Sequence, residues 1–122
     1  MTDRHPATAT RQPPPILWSL GLLHGELRAT HGLSLHDYLI LGALAEAEGR
    51  PVPLTRLTAL LRETRTRIAS LLTGLEAEGL VERSRGPRDR RTIEVTLTEA
   101  GRARFTAAER AAHERLRRHF VL

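Results

Sequence analysis

Two groups of arginines carry the most distinctive chemistry of this sequence. Arg83, Arg85, Arg88, Arg90 and Arg91 fall within residues 82–91, where the acids are Glu82 and Asp89; five positive charges less two negative leave +3 in one short segment. Arg62, Arg65 and Arg67 form the second group, interleaved with Thr64 and Thr66. A guanidinium is permanently charged, and its planar fork of donors fits phosphate oxygens and the acceptor edge of guanine. The whole chain carries a net charge of +5, which favours a polyanionic partner, either nucleic acid or a membrane surface. All 19 basic residues are arginine. Codon usage in a GC-rich genome accounts for that bias, but not for the positive excess or its clustering.

Other chemistry is sparse. There is no cysteine, hence no disulfide framework, thiolate nucleophile or thiolate metal site. No P-loop, glycine-rich dinucleotide fingerprint, nucleophile elbow or pair of catalytic carboxylates occurs, so an enzyme is not expected. Among the six histidines, His36 with Glu109 and His113 at i, i+4 forms a three-ligand candidate if their helices meet. Solvent-facing or capping histidines are the preferred reading, and neither metal nor cofactor is expected. No stretch approaches the roughly 18 apolar residues that cross a bilayer. Met1 to Pro15 is polar and proline-rich, without the apolar centre of a signal peptide. These features predict a cytoplasmic protein. A membrane-surface role would need a basic amphipathic helix with bulky apolar residues opposite, and a basic, turn-rich segment has the wrong shape.

The positions of the arginines depend on the elements that hold them. A chain of 122 residues fits one domain and can bury a real core. Residues 1–15, with Pro6, Pro13, Pro14 and Pro15, predict a flexible arm. The spacing of Ile16, Leu17, Leu20, Leu23 and Leu27 predicts a helix over 16–30, its apolar face widened by Trp18 and Leu22. Ser34-x-x-Asp37 reads as a capping box opening a second helix. Along it Tyr38, Leu41 and Ala45 share one side, with Leu35, Leu39 and Gly42 beside them, and it stops near Gly49. Thr55 is the expected cap of a short third helix carrying Leu57, Leu60 and Leu61. After a turn at Arg62-Glu63, Thr64 caps a fourth, with Ile68, Leu71, Leu72 and Leu75 on one face and Gly79 at its end. Two helices joined by so tight a turn are a helix-turn-helix pattern. Leu80-Val81 then leads a strand. Ile93, Val95 and Leu97 alternate with polar residues in another, and Gly86 to Arg91 forms a polar tip between them. Thr98 and Glu99 start a last helix through Ala103, Phe105, Ala107, Ala111, Leu116 and Phe120. The expected fold is therefore mainly α with a small β-hairpin: a winged helix-turn-helix lobe over 34–97, flanked by helices at 16–30 and 98–120. One arginine group sits at the start of a recognition-type helix, the other on the wing. A solvated face laced with surface ion pairs is the competing reading, and it explains two clusters on adjacent projecting elements less well than DNA contact does.

Those motifs resemble the MarR family of bacterial regulators over roughly residues 16–120. The resemblance is carried by Leu33-Ser34-Leu35-His36-Asp37-Tyr38, by Thr64-Arg65-Thr66-Arg67, by Leu75-Glu76-Ala77-Glu78-Gly79-Leu80-Val81, by Asp89-Arg90-Arg91 and by Leu97-Thr98-Glu99-Ala100-Gly101-Arg102. It implies a homodimer on a pseudo-palindromic operator in double-stranded DNA, with the first and last helices at the dimer interface. Thr64, Arg65, Thr66, Arg67 and Ser70 would meet the major groove. Arg83, Arg85, Arg88, Arg90 and Arg91 would serve the wing, with Arg91 entering the minor groove and Asp89 bracing it. Many members repress transcription and release DNA when a small, often aromatic, molecule binds between the lobes; Trp18, His36 and Tyr38 are the candidates here for lining such a pocket.

Three departures stand out. The family usually adds a C-terminal helix that clasps the dimer, whereas this chain reaches Leu122 before it. A smaller dimer, or heavier use of the first helix, is the expectation. Arg62-Glu63 stands where the family tends to have glycine and an apolar residue, and Gly74 replaces a commonly basic position. A rival reading from another class follows from the short C-terminus: a winged helix used for protein–protein contact, or a heterodimer partner of a longer relative.

Overall fold

The computed structural model describes residues 15–117. The arm expected over 1–15, Pro15 apart, and the last residues including Phe120 lie outside the described residues. Helix α1 spans Ile16–Glu26 and runs into a π-helical turn, Leu27–His31. Helix α2 (Leu35–Glu46) is followed by a two-residue strand, β1 (Val52–Pro53), and by helix α3 (Leu54–Leu61). Helix α4 (Arg65–Ala77), strands β2 (Val81–Arg85) and β3 (Ile93–Leu97), and helix α5 (Glu99–Leu116) complete the order. This is the mainly helical winged-helix architecture the sequence predicts.

Local signals fix most boundaries. The Ser34 hydroxyl accepts from the Asp37 amide at 3.0 Å, and the Asp37 carboxylate accepts from the Ser34 amide at 2.9 Å, so the capping box forms in both directions. Thr64 and Thr98 cap α4 and α5 by accepting from the Arg67 and Gly101 amides. Gly79 takes a left-handed φ of 76°, and the Gly79 and Leu80 amides turn back onto the Glu76 and Leu75 carbonyls, closing α4.

Three expectations need correction. Thr55 does not cap α3: the chain enters that helix from β1 through Pro53, so the first helical residue is Leu54. Strand β1 is absent from the sequence-based expectation. Val52 pairs with Val95 and Pro53 with Glu94, which turns the hairpin into a three-stranded antiparallel sheet of order β1-β3-β2. A two-residue strand containing proline has no local periodicity to reveal it; only its long-range partner defines it. The third is the buried stripes of α2 and α5, whereas the apolar face of α1 is as broad as its spacing predicts. Helix α1 and the π-helical turn bury the stripe Ser19, Leu23 and Leu27, while Ile16, Leu17, Trp18, Leu20 and Leu22 remain exposed, Leu17 at 78%. On α2 the buried residues are Ile40, Leu41 and Leu44, and on α5 they are Gly101, Ala108 and Ala112 rather than Ala103 or Ala107.

One core joins these elements. Leu27 and Leu33 meet Ile40, Leu41 and Leu44 of α2, and Leu57, Ile68, Leu72, Val81 and Val95 extend it under the helix-turn-helix and sheet. That core holds α4 against β2 and leaves the outward side of both to solvent.

Candidate nucleic-acid interface

The α3–α4 turn sets how the recognition-type helix presents its N-terminus. Arg62 ends α3 in a left-handed conformation, φ 56°, ψ 44°, a conformation that usually selects glycine. Glu63 follows, and its carboxylate lies 3.1 Å from His36 Nε2 at the start of α2. Thr64 spends its hydroxyl on the cap. Arg65, Thr66, Arg67 and Ser70 are all exposed. Among the described residues, no hydrogen bond or ion pair engages the guanidinium groups of Arg65 and Arg67. These arginines stand on the first turn of α4, at the positive end of the helix dipole, an arrangement that attracts an anion.

The wing is built around its tip. Strands β2 and β3 pair from Val81↔Leu97 to Arg85↔Ile93. Beyond them the Gly86 amide donates to the Thr92 carbonyl at 2.8 Å, and the Thr92 amide to the Asp89 carbonyl at 2.9 Å. A Cβ on Gly86 would stand 3.0 Å from that Asp89 carbonyl, so glycine lets the tip close. Asp89 Oδ1 accepts from the Arg91 backbone amide at 3.0 Å and from its Nε at 3.3 Å. The Arg91 side chain is nonetheless 93% exposed. Arg85 donates to the Arg90 carbonyl at 3.2 Å. Arg88 and Arg90 are exposed, with no side-chain partner among the described residues.

Arg83 is placed differently from the other wing arginines. Its Nε and Nη2 donate to Glu76 Oε1 at 3.0 and 2.8 Å, and Nη2 also reaches Thr73 Oγ1 at 3.2 Å. These bonds tie β2 to the second half of α4. The Arg83 side-chain and backbone hydrogen bonds hold the Glu76 carboxyl below its ordinary range. Its position in the sequence groups Arg83 with the arginines expected to meet DNA; its Nε and Nη2 are instead spent on Glu76 and Thr73 of α4.

Of Trp18, His36 and Tyr38, it is Tyr38 that lines the cleft between α2 and α5. Trp18 stands on the exposed face of α1 and is 59% accessible, and His36 faces Glu63. The cleft, about 530 Å³, lies between α2 and α5, with Gly42, Leu60, Arg102, Phe105 and Glu109 around Tyr38. The Tyr38 and Phe105 rings stack with centroids 5.3 Å apart. A Cβ on Gly42 would come within 3.1 Å of the Phe105 ring, so the glycine is what lets the ring settle there. Burial, and then the Glu109 charge, push the Tyr38 hydroxyl pKa up. Phe105, Leu60 and Glu109 escape a sequence reading as cleft residues because no motif links them; the pairing of Gly42 with an aromatic on the last helix is the available signal. Glu109 and His113 do not come together with His36: among the described residues no three His, Asp or Glu side chains form a metal-ligating group.

The comparisons with known proteins agree with this geometry. Residues 31–92 match the MarR family. The chain is 36% identical over 77 residues to the HTH-type transcriptional repressor YetL of Bacillus subtilis, a match that covers 63% of this chain and 46% of that protein. It thus spans about half the length of the curated relative it matches. Among solved structures, the transcriptional regulator BldR from Sulfolobus solfataricus is 30% identical with a TM-score of 0.71, over 82% of this chain and 73% of that one. CouR from Rhodococcus jostii, solved bound to p-coumaroyl-CoA, is 29% identical with a TM-score of 0.73, over 84% and 71%. With more than half its length matching the family and its elements superposing on these regulators, the chain belongs to the MarR family and has its winged-helix fold.

Proposed function

We propose that this protein is a sequence-specific DNA-binding transcription regulator that works as a cytoplasmic homodimer. One observation carries the reading: the free guanidinium groups of Arg65 and Arg67 at the N-terminus of α4, and the wing-tip arginines, project from two elements that Arg83 and Glu76 lock together. In this reading Arg65, Thr66, Arg67 and Ser70 meet base edges in the major groove while the Thr64 cap holds the helix start. Arg91, braced by Asp89 and flanked by Arg88 and Arg90, enters the minor groove, where the potential is most negative. Arg85 steadies the tip and faces phosphate. The bare apolar face of α1, including Leu17, Trp18 and Leu22, is the self-association surface, together with α5. Among the described residues no helix is long and apolar enough to cross a membrane.

The cleft between α2 and α5 is the site for a small effector. A stacked Tyr38–Phe105 pair offers an aromatic floor, and CouR was solved bound to p-coumaroyl-CoA. A ligand there would separate two helices that belong to different lobes, weakening DNA binding. The relative named a repressor favours repression as the sign of regulation.

The test is binding of the purified protein to fluorescent duplex genomic fragments across a salt series, with sequencing of what is retained. Affinity that falls steeply with salt and enriches a symmetric sequence supports the reading. Indifference to DNA, with capture of a second winged-helix chain, would support a protein–protein module instead.

A further inference from the structure

We infer that Arg104 is a positioning residue for DNA binding, one that fixes the angle of the recognition helix against the dimer helices; this rests on the DNA-binding reading above. Thr98 Oγ1 donates to the Gly79 carbonyl at 2.6 Å, and the Thr98 amide to the Leu80 carbonyl at 3.1 Å. A Cβ at Gly101 would stand 2.1 Å from the Leu80 oxygen, so the two backbones touch directly there. The core holds α4 within its own lobe, and this junction fixes the end of α4 against the start of α5; the seat of that lobe against α1 depends on a further contact.

Arg104 lies one turn further along α5 and supplies the second point of attachment. Its Nη1 donates to Glu78 Oε1 at 3.3 Å and to the His31 carbonyl at 3.0 Å. Glu78 is the residue that caps α4 at its C-terminal end, and His31 ends the π-helical turn that extends α1. Gly32 beside it adopts φ 67°, and a Cβ there would sit 3.5 Å from Arg104 Nη1. One guanidinium nitrogen therefore joins α1, α4 and α5. The first and last of these carry the proposed dimer surfaces, and the middle one carries the base-reading residues.

A partly exposed ion pair of this sort adds little to folding stability. Its effect falls on geometry. In a symmetric dimer the two recognition helices must match two half-sites about one DNA turn apart. Each added base pair moves one half-site by about 3.4 Å along the duplex. A lobe tied to its flanking helices at one place tolerates more spacings than one tied at two.

The experiment uses the full chain and duplexes carrying two selected half-sites at a graded series of spacings. Wild type is expected to favour one spacing sharply. Arg104→Ala and Glu78→Ala are expected to flatten that preference, on the order of fivefold, while base preference within each half-site stays the same. Glu78 is exposed, so its replacement leaves the melting temperature unchanged. Glu78→Gln, which keeps an acceptor oxygen, is expected to retain the wild-type profile. Identical spacing profiles in wild type and both alanine variants would overturn the inference, as would a loss equal at every spacing. A wild-type protein that binds no duplex at all would overturn the DNA-binding reading and this inference with it.

Discussion

Arg83 and Glu76 face each other across the junction of wing and recognition helix, with Nε and Nη2 of the guanidinium donating to the same carboxylate oxygen. The wing therefore cannot move independently of α4 while this pair is intact. Because the folded Glu76 carboxyl is held below its ordinary value near 4.5, its contribution to stability is present above that pH. It is lost as pH falls through the lower, folded value. Melts of wild type and Glu76→Gln from pH 7 down to pH 3 should show the wild type losing its advantage only in the acid range. Arg83→Ala should lower DNA affinity more than it lowers the melting temperature, because it frees the wing from α4. Equal acid profiles for wild type and Glu76→Gln would contradict this account.

The first turn of α4 should read sequence. Replacing Arg65 or Arg67 with alanine is expected to cost about 1–3 kcal/mol of operator binding and to relax preference at one position in each half-site. Both side chains are exposed and unpaired among the described residues, so thermal stability should not change. Competition binding against single-base operator variants measures this. A uniform weakening over all sequences would move these arginines to phosphate.

On the wing, Arg91→Ala should weaken binding strongly and reduce the slope of log affinity against log salt by about one unit for each phosphate that is no longer neutralised. In a dimer each change counts twice. Asp89→Ala leaves the charge but removes the two hydrogen bonds that orient it, so a milder effect is expected. Salt titrations with parallel melts decide; an Arg91→Ala protein that binds like wild type would take the wing out of the mechanism.

Leu17→Glu combined with Trp18→Glu should yield a folded monomer, since both side chains lie outside the core. Sedimentation at micromolar concentration, with circular dichroism to confirm helix content, measures the outcome. If the double variant sediments as the wild type does, α1 is not the self-association surface.

Replacing Gly101 with alanine should destabilise the fold by about 3 kcal/mol or more, because the new methyl group meets a backbone carbonyl that cannot turn aside. A denaturant titration of the variant against wild type gives the value. A near-neutral result would mean that α5 can slide away from Leu80 freely.

What is legible in the sequence follows from how local each signal is. Ser34 with Asp37, Thr64, Gly79 and Thr98 with Gly101 each act within one helical turn, and each appears in the structure where its spacing places it. Strand β1 is invisible because its pairing with β3 spans 43 residues of chain, from Val52 to Val95. The burial of α1 is hidden for a related reason. Its leucines show that a broad face is apolar, but only the neighbouring α5 decides that Leu23 and Leu27 enter this chain's core while Leu17 and Trp18 do not. The same limit governs the site. The basic character of the wing is plain in the sequence, whereas the inward turn of Arg83 depends on Glu76 one element earlier, and the cleft depends on Phe105 reaching Gly42 from the far end of the chain.

The three-stranded sheet has two outer edges, and neither invites another strand. Strand β1 is two residues long and includes Pro53, which has no amide hydrogen to offer. Strand β2, on the other side, runs through Glu82, Arg83, Ser84 and Arg85. Charge along an open edge discourages edge-to-edge pairing between molecules. The charged residues of β2 thus guard that edge, and a variant that replaces Arg83 and Arg85 together with uncharged residues should become prone to ordered self-association through β2.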